Sequence, residues 1–183
     1  MEYELIRSRR RTLALQMKPD GTVLVRAPLL TSRRRIESFL REHWNWVEAQ
    51  REKLASRPRE PRLSREELAR LKKQARPVFL ERTEHFAPLV GVRYERVTIR
   101  SQRSKWGSCS AKGGLNFNCL LLLAPEEVLD YVVVHELCHL LEMNHSPRFW
   151  ANVKRVLPGY AASRKWLKDN GNSLMARLPE QLS

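Results

Sequence analysis

Apolar and polar positions alternate first, then recur at helical spacing, then alternate again before a long greasy helix. From Arg11 to Met17 the apolar side chains Leu13, Leu15 and Met17 fall on one side. That period of two predicts a half-buried strand. Pro19-Asp20-Gly21 supplies turn chemistry, because proline presets its own φ and glycine tolerates positive φ. A β-branched run, Thr22 to Arg26, completes a predicted hairpin. Pro28 closes it.

Thr31 or Ser32 can N-cap a helix over residues 33–54, where Ile36, Phe39, Leu40, Trp44 and Val47 recur at helical spacing. Arg57 to Pro61 reads as a linker, which places an N-terminal hairpin and helix region at 1–60 and a main domain at 61–183. Ser64 with Glu67 forms a capping-box signature. A helix to about Ala87 follows, with a kink or break expected at Pro77, and Gly91 ends it. Val97 to Arg100 predicts a strand. Residues 104–124 predict a second hairpin that turns at Lys112-Gly113-Gly114, with Leu115 to Leu123 as an apolar strand.

Pro125, Glu126 and Glu127 open the next helix. Proline suits the first helical position, and the carboxylates complement the positive end of the helix dipole. Running to about Met143, this helix is apolar nearly all round, which predicts burial. Ser146 caps a further helix with Pro147 in its first position, ending before Pro158-Gly159. A last helical turn at Ser163 to Lys168 and a loose polar tail complete the reading.

Charge changes this picture unevenly. The net charge of +14 comes from residues 1–124, which hold 27 Lys and Arg against 13 Asp and Glu; residues 125–183 hold 7 of each. A basic half of this kind would attract nucleic acid or another polyanion. The alternative is a solvated basic surface with no dedicated partner. Three cysteines, an odd number in 183 residues with no CxxC pair, argue against a disulfide scaffold and a cysteine-only zinc site. Reduced thiols, no apolar run of membrane-spanning length and no leader-like N-terminus lead to the expectation of a cytoplasmic protein with no membrane partner.

The chemistry concentrates at His135-Glu136-Leu137-Cys138-His139 and, six residues on, His145. Three of the five histidines fall within eleven residues. Histidines four apart share one helix face, so both imidazoles can reach one metal ion, and the glutamate beside them can act on a water. A bend after the helix can bring His145 back as a third ligand, which is what a catalytic zinc needs beside its open position. The expected assignments are therefore zinc held by His135, His139 and His145, with Glu136 as general base. The bland alternative is a set of buried histidines bonded to backbone, with Glu136 in a salt bridge.

Tyr160, Tyr131, Asn118 and Arg148 carry suitable chemistry for an oxyanion donor, and the sequence does not choose among them. Glu142 could orient an imidazole, although an exposed or capping carboxylate is the plainer reading. Cys138 faces away from the histidines and reads as core. Leu115–Leu123 is either an edge strand that could add a peptide by β-augmentation or an ordinary core strand.

These motifs resemble the YgjP-like metallopeptidases. The resemblance rests on Arg-Ser-Arg-Arg-Arg-Thr-Leu-Ala-Leu (7–15), Asp-Gly-Thr-Val-Leu-Val-Arg-Ala-Pro (20–28), Trp106-Gly107-Ser108-Cys109, the block from Asp130 to His139, and Asn144 to Trp150. It implies an α+β fold with a zincin-like core, a small sheet plus the active-site helix, and a protein or peptide substrate. The family is similar to SprT-like proteases and to the WLM proteases that act on DNA-crosslinked protein. In the WLM group the spacing HExxH-x5-H supplies three histidine ligands, as at 135, 139 and 145, and the basic half would suit a nucleic-acid-associated substrate. Two other classes stand beside this one. A metal-dependent ribonuclease like the YbeY-type family shares the histidine spacing but lacks the glutamate after the first histidine. A basic nucleic-acid-binding protein with a structural zinc would need a fourth ligand.

Overall fold

The computed structural model describes residues 2–18, 21–55 and 60–180. They form two compact units, Met1–Glu60 and Pro61–Ser183.

In the first unit, β1 (Glu4–Ser8) pairs in parallel with β3 (Val23–Pro28), and β2 (Ala14–Met17) pairs with β3 antiparallel. The expected hairpin is β2–β3, in register from Ala14 opposite Arg26 to Met17 opposite Val23. Gly21 has a φ of 87°, and its amide donates to the Lys18 carbonyl at 3.0 Å. The rest of the predicted turn, Pro19 and Asp20, lies outside the described residues, as do 57–59 of the predicted linker. The strand predicted over Arg11–Met17 is shorter, starting at Ala14, and the Arg7–Leu15 motif spans the end of β1 at Ser8 and the start of β2. Val23, Val25 and Ala27 on β3 pack with Ile36 and Leu40 of α1 (Arg33–Glu42) and Val47 of α2 (Trp44–Ala55). The single helix expected at 33–54 is thus two. It breaks at His43, whose backbone amide and ring Nδ1 both engage the Phe39 carbonyl.

In the second unit, α3 (Arg65–Val90) opens on the expected capping box: the Ser64 amide donates to Glu67 Oε2 at 2.7 Å and the Glu67 amide to Ser64 Oγ at 3.1 Å. Pro77 does not break it. Lys73, whose carbonyl loses its partner to the proline, is exposed, as is Pro77 itself, so water can take the freed oxygen. Gly91, at a φ of 86°, ends the helix.

The sheet of this unit has the order β4 (Arg96–Arg100), β6 (Gly114–Asn118), β5 (Gly107–Cys109), with β6 parallel to β4 and antiparallel to β5. Of the two readings of Leu115–Leu123, edge strand or core strand, the central place of β6 fits the core strand over its sheet portion; the edges are β5 and β4. The apolar run also leaves the sheet at Asn118, because Cys119–Leu123 coils into a 3₁₀ helix whose N-cap is the Asn118 side chain. An apolar run alone does not separate strand from buried helix.

α4 (Glu126–Cys138) is buried on nearly every side. It packs against α3 and the sheet, which also meet each other directly where Phe79 of α3 stacks on Phe117 of β6 at 4.7 Å. Arg82 of α3 fixes the helix by gripping both carboxylate oxygens of Asp130. α5 (Pro147–Val156) has the expected Ser146 cap. The last element departs most from expectation: α6 (Tyr160–Ala176) is seventeen residues long rather than a turn and a loose tail. Its Gly171 lies against the Trp106 indole, where a β-carbon would sit 3.1 Å from the ring, and Leu174 and Leu178 are buried. No helix among the described residues is long and apolar enough to cross a membrane.

Candidate metal centre

α4 ends at Cys138, five residues before the expected stop, and this early end shapes the site. His139 is the helix C-cap, and tight bonds from Leu140 to Leu137 and from Leu141 to Cys138 turn the chain. The bend is then built locally: Asn144 Oδ1 accepts from the Ser146 amide at 2.9 Å, and Ser146 Oγ accepts from the Phe149 amide at 3.3 Å. Together these turns return His145 to the helix. Its Nε2 lies 3.0 Å from Nε2 of His135, and one ring nitrogen from each of His135, His139 and His145 falls within 4.8 Å of the other two.

The donor set suits a zinc ion. Tetrahedral zinc with nitrogen ligands at about 2.0–2.1 Å keeps those nitrogens about 3.3 Å apart, close to the spacing of the first pair. Two neutral imidazole nitrogens facing each other need a shared proton or a cation between them. His139 Nδ1 meets the Glu142 carbonyl at 3.2 Å, which leaves its Nε2 as the lone-pair nitrogen. The contact at Glu142 is thus made by its main chain, not by its carboxylate. His135 Nδ1 is buried with no partner among the described residues. Burial, with the charges of His139, His145 and Arg164, pushes the His135 imidazole down to about 3, and burial lowers His139 as well. Both rings stay neutral, the form that binds metal.

Glu136 points from the same helix toward β5 and is only 5% exposed. A β-carbon on Gly107 would stand 2.5 Å from its Oε1 and 2.6 Å from its Cγ, so the carboxylate rests on the bare backbone of the edge strand. Burial raises it to about 8, with Lys105 opposing.

These shifts fix how the metal-free protein responds to pH. The folded state holds a proton on Glu136 that the unfolded chain, at 4.5, releases, so stability falls as pH rises from 4.5 toward 8. The unfolded chain binds a proton at 6.5 that folded His135 refuses, so stability also falls as pH drops from 6.5 toward 3. Glu136→Gln removes the alkaline arm. Denaturation of the chelated protein should find this variant more stable than wild type at pH 8, by on the order of 2–4 kcal/mol. The gap should close near pH 4.5; a gap independent of pH would contradict the burial argument.

The other sequence candidates separate by position. Asn118 is committed elsewhere: its Nδ2 donates to the carbonyls of Gln102 and Lys105 and its Oδ1 accepts from the Leu120 amide. It is not an oxyanion donor. Arg148 is exposed. Tyr131 stands edge-on to His135 at 5.7 Å, and Tyr160 stacks on both Tyr131 and Trp150. Cys138 is fully buried in the core, its thiol pushed up to about 11 by burial. Sequence reading missed the surroundings of the site. Trp150 packs against His135 and His145, Arg164 lies over Trp150, and Gly107 makes room for Glu136. The Trp106-Gly107-Ser108-Cys109 motif was the signal for the last of these, but a glycine's role needs the neighbour it admits.

Comparison with known proteins supplies the family. The model of the YgjP-like metallopeptidase domain matches residues 11–71 and 61–170. Among solved structures, the metallopeptidase zymogen of Pyrococcus abyssi abylysin is 28% identical over 49% of this chain and 93% of its own, with a TM-score of 0.45. No curated protein matches.

Proposed function

Because this chain belongs to the YgjP-like metallopeptidase family, and is by that membership a metal-dependent protease with an α+β, zincin-like fold, we propose that it hydrolyses peptide bonds through a zinc ion held by His135, His139 and His145, with Glu136 as general base. One observation carries this reading: three imidazoles meet beside a buried carboxylate, all within eleven residues.

Zinc, when bound, acidifies a water and polarises the scissile carbonyl. The chain supplies the rest. Glu136 accepts a proton from the attacking water on a carboxylate oxygen and delivers it to the leaving amine nitrogen. Its burial makes it a stronger base than a free carboxylate, suited to a water of near-neutral pKa. Neutral His135 and His139 offer lone pairs without competition from protons. β5, an edge strand whose Gly107 touches Glu136, can pair with an extended substrate backbone and present its peptide bond to the carboxylate. The chain's charge of +14 fits a substrate associated with nucleic acid.

The test is metal analysis together with cleavage. Purified protein should hold one zinc per chain and degrade an unfolded protein substrate, and a chelator should abolish the cleavage. Single-stranded RNA should remain intact in the same preparation; metal-dependent RNA cleavage without proteolysis would replace this reading by the ribonuclease one.

Gly107 gives a second test. Alanine there must displace Glu136, because the crowding reaches Cγ and not only the carboxylate oxygens. Gly107→Ala should cut turnover about 10- to 100-fold, the effect of a small misplacement at the reacting centre, while zinc content stays at one. Unchanged turnover would show that Glu136 is not set by the strand.

A further inference from the structure

Tyr160 and Arg164 are one turn apart on α6 and share a face. Both meet Trp150: the Tyr160 ring stacks on it at 5.4 Å, and the Arg164 guanidinium carbon lies 4.5 Å from its centroid. The same indole lies 5.7 Å from the His145 ring and 5.9 Å from the His135 ring. Arg164 is therefore no more than about 10 Å from the ligand rings, roughly three residues of extended peptide at about 3.4 Å each. It is exposed and has no ion pair or hydrogen bond among the described residues. Arg82, also beside α4, is by contrast fully engaged with Asp130 and Glu126.

Resting on the peptidase reading above, we infer that Arg164 is a substrate-binding residue that takes a carboxylate, an acidic side chain or a peptide's free C-terminus, within three residues of the scissile bond. Stacking occupies the face of a guanidinium and leaves its N–H edge free for a bidentate carboxylate. The indole also holds the cation in place before substrate arrives, which lowers the ordering cost of binding. With no ion pair among the described residues, the exposed N–H edge of Arg164 can exchange water for a peptide carboxylate.

The experiment measures binding of labelled peptides to zinc-loaded protein carrying Glu136→Gln. Peptides are paired: glutamate against glutamine at each of the three positions on either side of the cleaved bond, and free acid against amide at the C-terminus. The first kind of pair reports a side-chain carboxylate and the second a terminal one. With Arg164 present, one pair should favour the carboxylate about tenfold. Arg164→Gln should erase that preference, and Arg164→Glu should turn it toward a lysine peptide. No preference in any pair, a preference that survives Arg164→Gln, or an equal loss for all peptides would overturn the assignment. Turnover of the same peptides by protein with Glu136 intact separates the two proposals. Cleavage without charge preference sinks Arg164 alone. Failure to cleave any peptide sinks the peptidase reading, and the free-acid against amide pair, which needs no cleaved bond, still decides whether Arg164 takes a carboxylate.

Discussion

Glu136→Gln should keep its zinc and lose peptide hydrolysis by on the order of 10²–10⁴-fold, the range a positioned general base contributes. The amide preserves the shape that rests on Gly107 but cannot accept the proton of the attacking water. Since Glu136 is not among the three converging nitrogen donors, metal content should not change. The loss should appear in kcat, with KM little altered, because the missing interaction belongs to the transition state. Cleavage at the wild-type rate would remove Glu136 from its role, and loss of zinc would make it a ligand instead.

His145→Ala should remove zinc and activity together. Binding of about 10–16 kcal/mol shared among four ligands in structural sites leaves a few kcal/mol per ligand, so the affinity should fall by roughly 10²–10³-fold. His145 is exposed and lies in a bend outside α4, so the variant should fold normally. Isothermal titration with zinc into chelator-stripped protein reads the effect, and circular dichroism checks the fold. His145→Glu should recover part of the affinity, because a carboxylate oxygen also ligates zinc. Wild-type affinity in the alanine variant would leave a two-histidine site and end the three-ligand reading.

The helix that carries the histidine pair and its flanks were legible in the sequence because their signals are local. Pro125 with two glutamates marks the start of α4, Ser146-Pro147 marks the start of α5, and the Ser64–Glu67 pair marks α3. Each is a backbone group satisfied by a neighbour a few residues away. The errors lie where distant packing decides. α6 has a glycine at its N-cap with no side-chain bond, so nothing local announces it. Its length is set by contacts such as Gly171 on Trp106, sixty-five residues earlier in the chain. The run Leu120 to Leu123 satisfies a strand pattern, yet it coils because Asn118 caps it and ties down the 102–105 loop. Pro77 forecast a break that exposure to water made unnecessary. At the site, the residue types and spacing were readable, whereas the wall of Trp150, Tyr160 and Arg164 arises only when α5 and α6 fold back.

The bend from His139 to Ser146 draws its shape from its own amides and side chains: the two tight turns after Cys138, the Asn144 acceptor and the Ser146 cap. Each of these contacts joins groups of the chain to one another. Stripping the zinc should therefore silence the enzyme without unmaking the protein, and returning it should restart catalysis on the timescale of diffusion rather than of refolding.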